Sequence, residues 1–154
     1  MHSDDVFRAR LNEVITELEQ WGHSQRDVAT IESAAAAAFW EMAVTPNLRG
    51  ACPFGVLFRP DQRFTLALGD EIYEDKPFDR FDFFIMLARA VAAGKVDMLE
   101  TRSALTGTLE KIETRVELED GWAWIGERRI GARTARKIDA AQEVRTRRFL
   151  PYRR

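Results

Sequence analysis

This chain of 154 residues is poor in the side chains that carry familiar chemistry. It has one cysteine, Cys52, so no disulfide can form within the chain. The disulfide-stapled class of small secreted domains is thereby excluded, and the usage fits a reducing compartment. The expectation is a cytoplasmic protein. Long apolar runs are missing. The longest covers residues 83–93 and is interrupted by Arg89, too short to cross a bilayer, so no membrane association is expected. The N-terminus, Met1-His2-Ser3-Asp4-Asp5, is acidic, whereas a signal peptide begins basic and then turns apolar. Also missing are a Gly-rich phosphate loop, zinc-ligand spacing and a nucleophile elbow.

The groups that could react are isolated. Cys52 lies in Gly50-Ala51-Cys52-Pro53-Phe54-Gly55. A nucleophilic thiol needs a neighbouring base to ionise it. The two histidines, His2 and His23, are both distant from it in sequence. Cys52 reads as an inert, small apolar residue. Asp70, Glu71, Glu74 and Asp75 form an acidic stretch, but their spacing matches no calcium loop, so they read as a solvated loop. Asp79 and Asp82 read as helix caps. No catalytic residue, metal or cofactor is expected, and the chain reads as non-catalytic.

What the chain does have is globular composition, 45% apolar and 31% charged, at the length of one ordinary domain. Phe7, Leu11, Val14, Leu18 and Trp21 recur at helical spacing, behind Ser3 as a candidate cap. Val28, Ile31, Ala35, Ala38 and Met42 suggest a second helix. Its alanine run, residues 34–38, would let a neighbouring backbone approach closely. Strands are expected at 54–59, 63–68, 96–104, 108–118 and 122–130. A third helix from about 79 to 93 is apolar nearly all round, so it should be buried. A basic helix should occupy residues 133–150, stopped by Pro151.

The order is then ααββαβββ plus a terminal helix: an α+β domain with an antiparallel sheet of about five strands packed on a buried helix. Residues 1–131 would form the domain and 132–154 a basic arm. In order and length this resembles the nuclear-transport-factor-2-like cone, a resemblance of topology over roughly residues 4–130. It implies a closed-ended cavity for a small apolar molecule, bound or transformed there. No functional residue carries over from it.

Charge is unevenly placed. Residues 127–154 hold ten Lys/Arg against three Asp/Glu, +7, so the rest carries −9 for a net charge of −2. On a helix, Arg133, Arg136, Lys137, Arg147 and Arg148 share a sector. With Arg145 they could engage a polyanion such as nucleic acid, or an acidic protein partner. Equally, the arm could pair with its own acidic body. Trp122 and Trp124 depend on a turn. A two-residue turn at Asp120-Gly121 would place both on the charged face as an aromatic interface. A three-residue turn, 119–121, would pair Leu118 with Trp122 and send both into the core. The functional expectation is a binding or assembly protein, with a protein partner or a homo-oligomer; a structural subunit of a larger assembly is the other non-catalytic reading.

Overall fold

The computed structural model describes residues 3–36, 39–130 and 141–154. Among them the order is α1 (Asp4–Ser24), β1 (Ala29–Ala36), β2 (Phe39–Pro46), β3 (Phe54–Arg59), β4 (Arg63–Leu68), β5 (Glu71–Pro77), α2 (Phe83–Ala92), β6 (Val96–Ser103), β7 (Leu109–Glu117), β8 (Ala123–Arg129) and β9 (Gln142–Arg148). The strands form two antiparallel sheets, a meander β1-β2-β3-β4-β5 and a second sheet β8-β7-β6-β9.

The expected single sheet with its two leading helices is therefore corrected. Residues 29–46 are a hairpin, β1 paired with β2 from Ala29↔Pro46 to Ala36↔Phe39. Trp40, Met42 and Val44 alternate inward against exposed Phe39, Glu41 and Ala43, the period-2 signature of a half-buried strand. The acidic stretch is not a loop either: Glu71 to Pro77 is β5. The basic terminal helix is replaced over residues 142–148 by β9, which pairs antiparallel with β6. Arg133, Arg136 and Lys137 lie outside the described residues.

The five expected strands do form, as β3, β4, β6, β7 and β8, and α2 is buried as its composition requires. Phe84, Leu87, Ala88 and Val91 have no exposure. Around Phe84 the rings of Phe58 and Phe64 close to centroid distances of 4.7 and 4.9 Å. Phe78 approaches Phe58 at 5.3 Å. The interior that a cone would leave hollow is packed with aromatic rings, and two sheets replace its single curved one.

The sheets meet where β5 stands against β7 and β8. A Cβ on Gly126 would lie 2.6 Å from Tyr73 Cζ and 2.5 Å from Trp124 Cη2, so only glycine admits these rings there. The Tyr73 hydroxyl shares a 2.7 Å hydrogen bond with Thr114 Oγ1. Beside it buried Glu71 accepts two bonds from Arg128, at 2.8 and 3.1 Å. The C-terminal tail closes the other side. The backbone N–H groups of Phe149, Leu150 and Tyr152 donate to the carbonyls of Val96, Gly50 and Ala92. The Tyr152 hydroxyl donates to the Cys52 carbonyl at 2.6 Å.

Candidate functional site

Helix α1 is amphipathic and buries Phe7, Val14 and Leu18. Near its C-terminal end it lies tight on β1, since a Cβ on Gly22 would come within 3.0 Å of Ile31 Cγ2. Further along, β1 carries Ser33, Ala34, Ala35 and Ala36, and nothing large enough to fill the space beside the helix. A groove of about 570 Å3 opens there. Phe7, Leu11 and Ile15 line it from the helix, and Phe39, Trp40 and Phe58 from the sheet.

All four residues 33–36 border this groove. Alternate strand residues point to opposite faces, so this end of β1 borders the groove with backbone as well as side chains, while Trp40 and Phe58 border it from the inner face of the sheet. Among the described strands β1 pairs with β2 alone, which leaves its other edge without a described partner. It carries one charged residue, Glu32, and no Pro or Lys, the usual devices that block an edge from pairing. The groove's polar lining is close to balanced. Asp4 and Glu19 carry negative charge, Arg8 and Arg59 positive. The Arg59 guanidinium is already held by Asp61 and Asp75, each at 2.6 Å.

β9 is the opposite case: among the described strands it pairs with β6 alone, and its edge is lined with charge. All seven of its residues are exposed. Arg145 and Arg147 share one face with Glu143; Arg148 lies on the other. The common basic sector of a helix is thus divided. Several cations of the basic segment are engaged by the chain's own groups. Arg147 lies over the Phe149 ring at 4.5 Å. Arg148 is 3.7 Å from Asp97, Arg128 bonds Glu71, and Arg153 bonds Asp27 at 2.5 Å. Ile138 lies outside the described residues, and Phe149 is buried.

Trp124 pairs with Val116, and the Leu118 N–H donates to the Trp122 carbonyl at 2.8 Å. This is the register of the three-residue turn. It brings only one tryptophan inward: Trp124 is half-buried against Tyr73 at 5.2 Å, while Trp122 is 65% exposed. Cys52 has no exposure and its thiol donates to the Pro53 carbonyl at 3.2 Å. Burial pushes the thiol up to about 12, which keeps it protonated and unreactive. His23 lies in the last turn of α1, and His2 is outside the described residues. Of the acidic stretch, Asp70, Glu74 and Asp75 are exposed and Glu71 is buried. Asp82 precedes α2 without a side-chain capping bond and instead binds Arg80.

The groove was not among the residues that the sequence singled out. Phe7 and Leu11 were visible as a helical stripe. The alternation Trp40, Met42, Val44 would have identified β2, had it been weighed against the alanine run. Comparison of the chain with protein-family models, with characterised proteins and with solved structures found no match.

Proposed function

We propose that this is a non-catalytic protein-binding module. An extended segment of another polypeptide adds to the free edge of β1, and its apolar side chains enter the groove beside α1. Strand addition supplies affinity through main-chain hydrogen bonds and specificity through pockets for alternate side chains. One observation carries this reading: a strand edge that pairs with no other described strand and a groove of mixed apolar and charged lining share the same four residues, 33–36. Those residues are mostly alanine, which is a strong helix former and a poor strand former. Local propensity is violated where a groove results, and such violations concentrate at functional sites.

The test is a peptide array of extended sequences, apolar at alternate positions, with hits titrated by fluorescence anisotropy. Ala35→Phe fills the groove, and Ala34→Arg with Ala36→Arg guards the edge. Each should weaken hits at least tenfold with the thermal midpoint unchanged. If hits bind both variants like wild type, the segment docks elsewhere and the reading fails.

The basic segment favours a second contact, made by charged side chains. Along the β9 edge, Arg145, Arg147 and Arg148 would meet a polyanion or an acidic protein partner. For a phosphate backbone, affinity falls linearly with log salt, and the slope weakens by about one for each contact removed. A slope unchanged in the triple Arg→Gln variant would remove these three from that role.

A further inference from the structure

A second opening lies between the residues leading into α2 and strand β8. It has a volume of about 200 Å3, and Phe64, Phe83, Trp122 and Trp124 are among its walls, with Asp79 and Arg80 as its charged lining. Trp122 is the unusual member. An indole left 65% exposed beside an aromatic slot is the composition of an interaction hot spot, where tryptophan is enriched.

The charge around the slot is one-sided. Arg80 donates to Asp82 at 3.0 and 2.9 Å and to Asp120 at 2.9 Å. The Arg80 guanidinium holds the Asp82 carboxyl below the usual carboxylate range, and the Trp122 backbone N–H, followed by Arg80, does the same for Asp120. One cation is thus outnumbered by two fixed anions. Asp79 adds a third carboxylate, for which no hydrogen bond or ion pair occurs among the described residues. Arg80 is thus neutralised by two carboxylates outside the lining, which leaves Asp79 as the uncompensated charge of the slot's own lining. The Trp122 ring already attracts a cation, since Arg80 Cζ lies 5.8 Å from its centroid, within the range of a cation–π contact.

We propose that this slot takes the cationic side chain of a protein partner, an arginine or lysine, stacked on Trp122 with Asp79 as its counter-ion. Aromatic walls desolvate the stem of such a side chain and leave its head to the carboxylates. A neutral apolar side chain would meet the same walls and gain nothing from the charge. This site shares no lining residue with the groove beside α1, so the two can be tested separately.

The probe is acetyl-Gly-Arg-Arg-Gly-amide, with the citrulline peptide as its neutral isostere. Binding is followed by the Trp122 indole N–H resonance, assigned from its loss in Trp122→Phe. The arginine peptide should shift this resonance saturably and the citrulline peptide should not. Asp79→Asn, followed by the same resonance, and Trp122→Ala, followed by isothermal titration calorimetry beside wild type, should each weaken binding at least fivefold, and 0.5 M salt should weaken it further. Both residues are exposed, so folding should survive, and circular dichroism checks it. Equal binding of the citrulline peptide, tighter binding of a neutral proline-rich peptide, or an Asp79→Asn variant that binds like wild type would each overturn the proposal.

Discussion

Gly126 on β8 and the small residues 33–36 on β1 are both gaps in otherwise bulky surfaces, and the protein treats them in opposite ways. At Gly126 the gap is filled. The Tyr73 ring enters it, Trp124 packs alongside, and the Tyr73 hydroxyl bonds Thr114. There the missing Cβ fastens one sheet to the other. At residues 33–36 the gap stays open, and apolar side chains of α1 and β2 border empty space. Apolar side chains that border an open groove forfeit dispersion contacts, so they stabilise the fold less than the same side chains would in a filled core. The comparison teaches that small residues in a strand carry no fixed meaning; what lies opposite decides between a weld and a binding groove.

The sharpest way to break the weld is Gly126→Ala. The new Cβ would stand inside both ring contacts, and neither Tyr73 nor Trp124 can retreat without losing packing. Overpacking of this kind costs about 2–3 kcal/mol, or a fall in Tm of roughly 5–10 °C at this chain length. Denaturant melts should show it. Tyr73→Leu in the same chain should recover part of the loss, because residues in contact are not additive. An unchanged midpoint in Gly126→Ala would mean that the sheets are not fastened there.

Glu71 is the polar part of the same seam and ranks next. Its side chain is 5% exposed, while that of its partner Arg128 is 50% exposed. Arg128 can therefore turn to water when the carboxylate is removed, which spares the full cost of orphaning a buried charge. Glu71→Ala should cost about 1.5–2 kcal/mol, the scale of hydrogen bonds to a charged group. A loss near zero would show the pair to be solvated.

How much of this could be read in the sequence follows from where each element's signal resides. Strands β3, β4 and β7 announce themselves locally, by alternation between turn residues, and α2 by its run of apolar residues closed by Gly94. The hairpin β1–β2 does not. An alanine run has the highest helix propensity, and only pairing with β2 holds it extended. β9 is harder still. Every residue of it is exposed, so no buried face sets a period, and its partner β6 lies some forty residues back in the chain. The groove depends on the first of these elements, since residues 33–36 border it as a strand. The Trp122–Trp124 register was open to sequence reasoning as one of two alternatives. That Trp122 stays outside was not, because it depends on how far the core extends past Leu118.

Cys52 offers a smaller effect, on the closed side of the molecule. An unfolded thiol titrates near 9.0, and burial raises that of Cys52 to about 12. A folded value above the unfolded one means that the contribution to stability is full below pH 9.0 and is lost as pH rises towards 12. At roughly pH 10 the loss should be about 1 kcal/mol relative to neutral pH. Burial pushes the Tyr152 phenol up as well, so the measurement is the difference between wild type and Cys52→Ala across the same pH series. Equal alkaline slopes would show that Cys52 is exposed to water.

The smallest expected effect on stability bears most directly on the open gap. Ala35 lies opposite Trp40 in the β1–β2 register and borders the groove. Ala35→Leu adds apolar atoms to a space already bordered by Leu11, Ile15 and Trp40, and leaves every backbone hydrogen bond of the hairpin in place. In a filled core such an insertion costs about 1–3 kcal/mol; in an open groove it should change stability by no more than about 0.5 kcal/mol, with a gain as reasonable as a loss. The same substitution at a binding groove removes the volume that a partner's side chain needs. Stability and peptide binding should therefore separate: an unmoved denaturant midpoint beside at least a tenfold loss of array-selected peptides. If instead Ala35→Leu destabilises by several kcal/mol, α1 packs onto β1 more closely than a groove allows, and the contrast with Gly126 disappears.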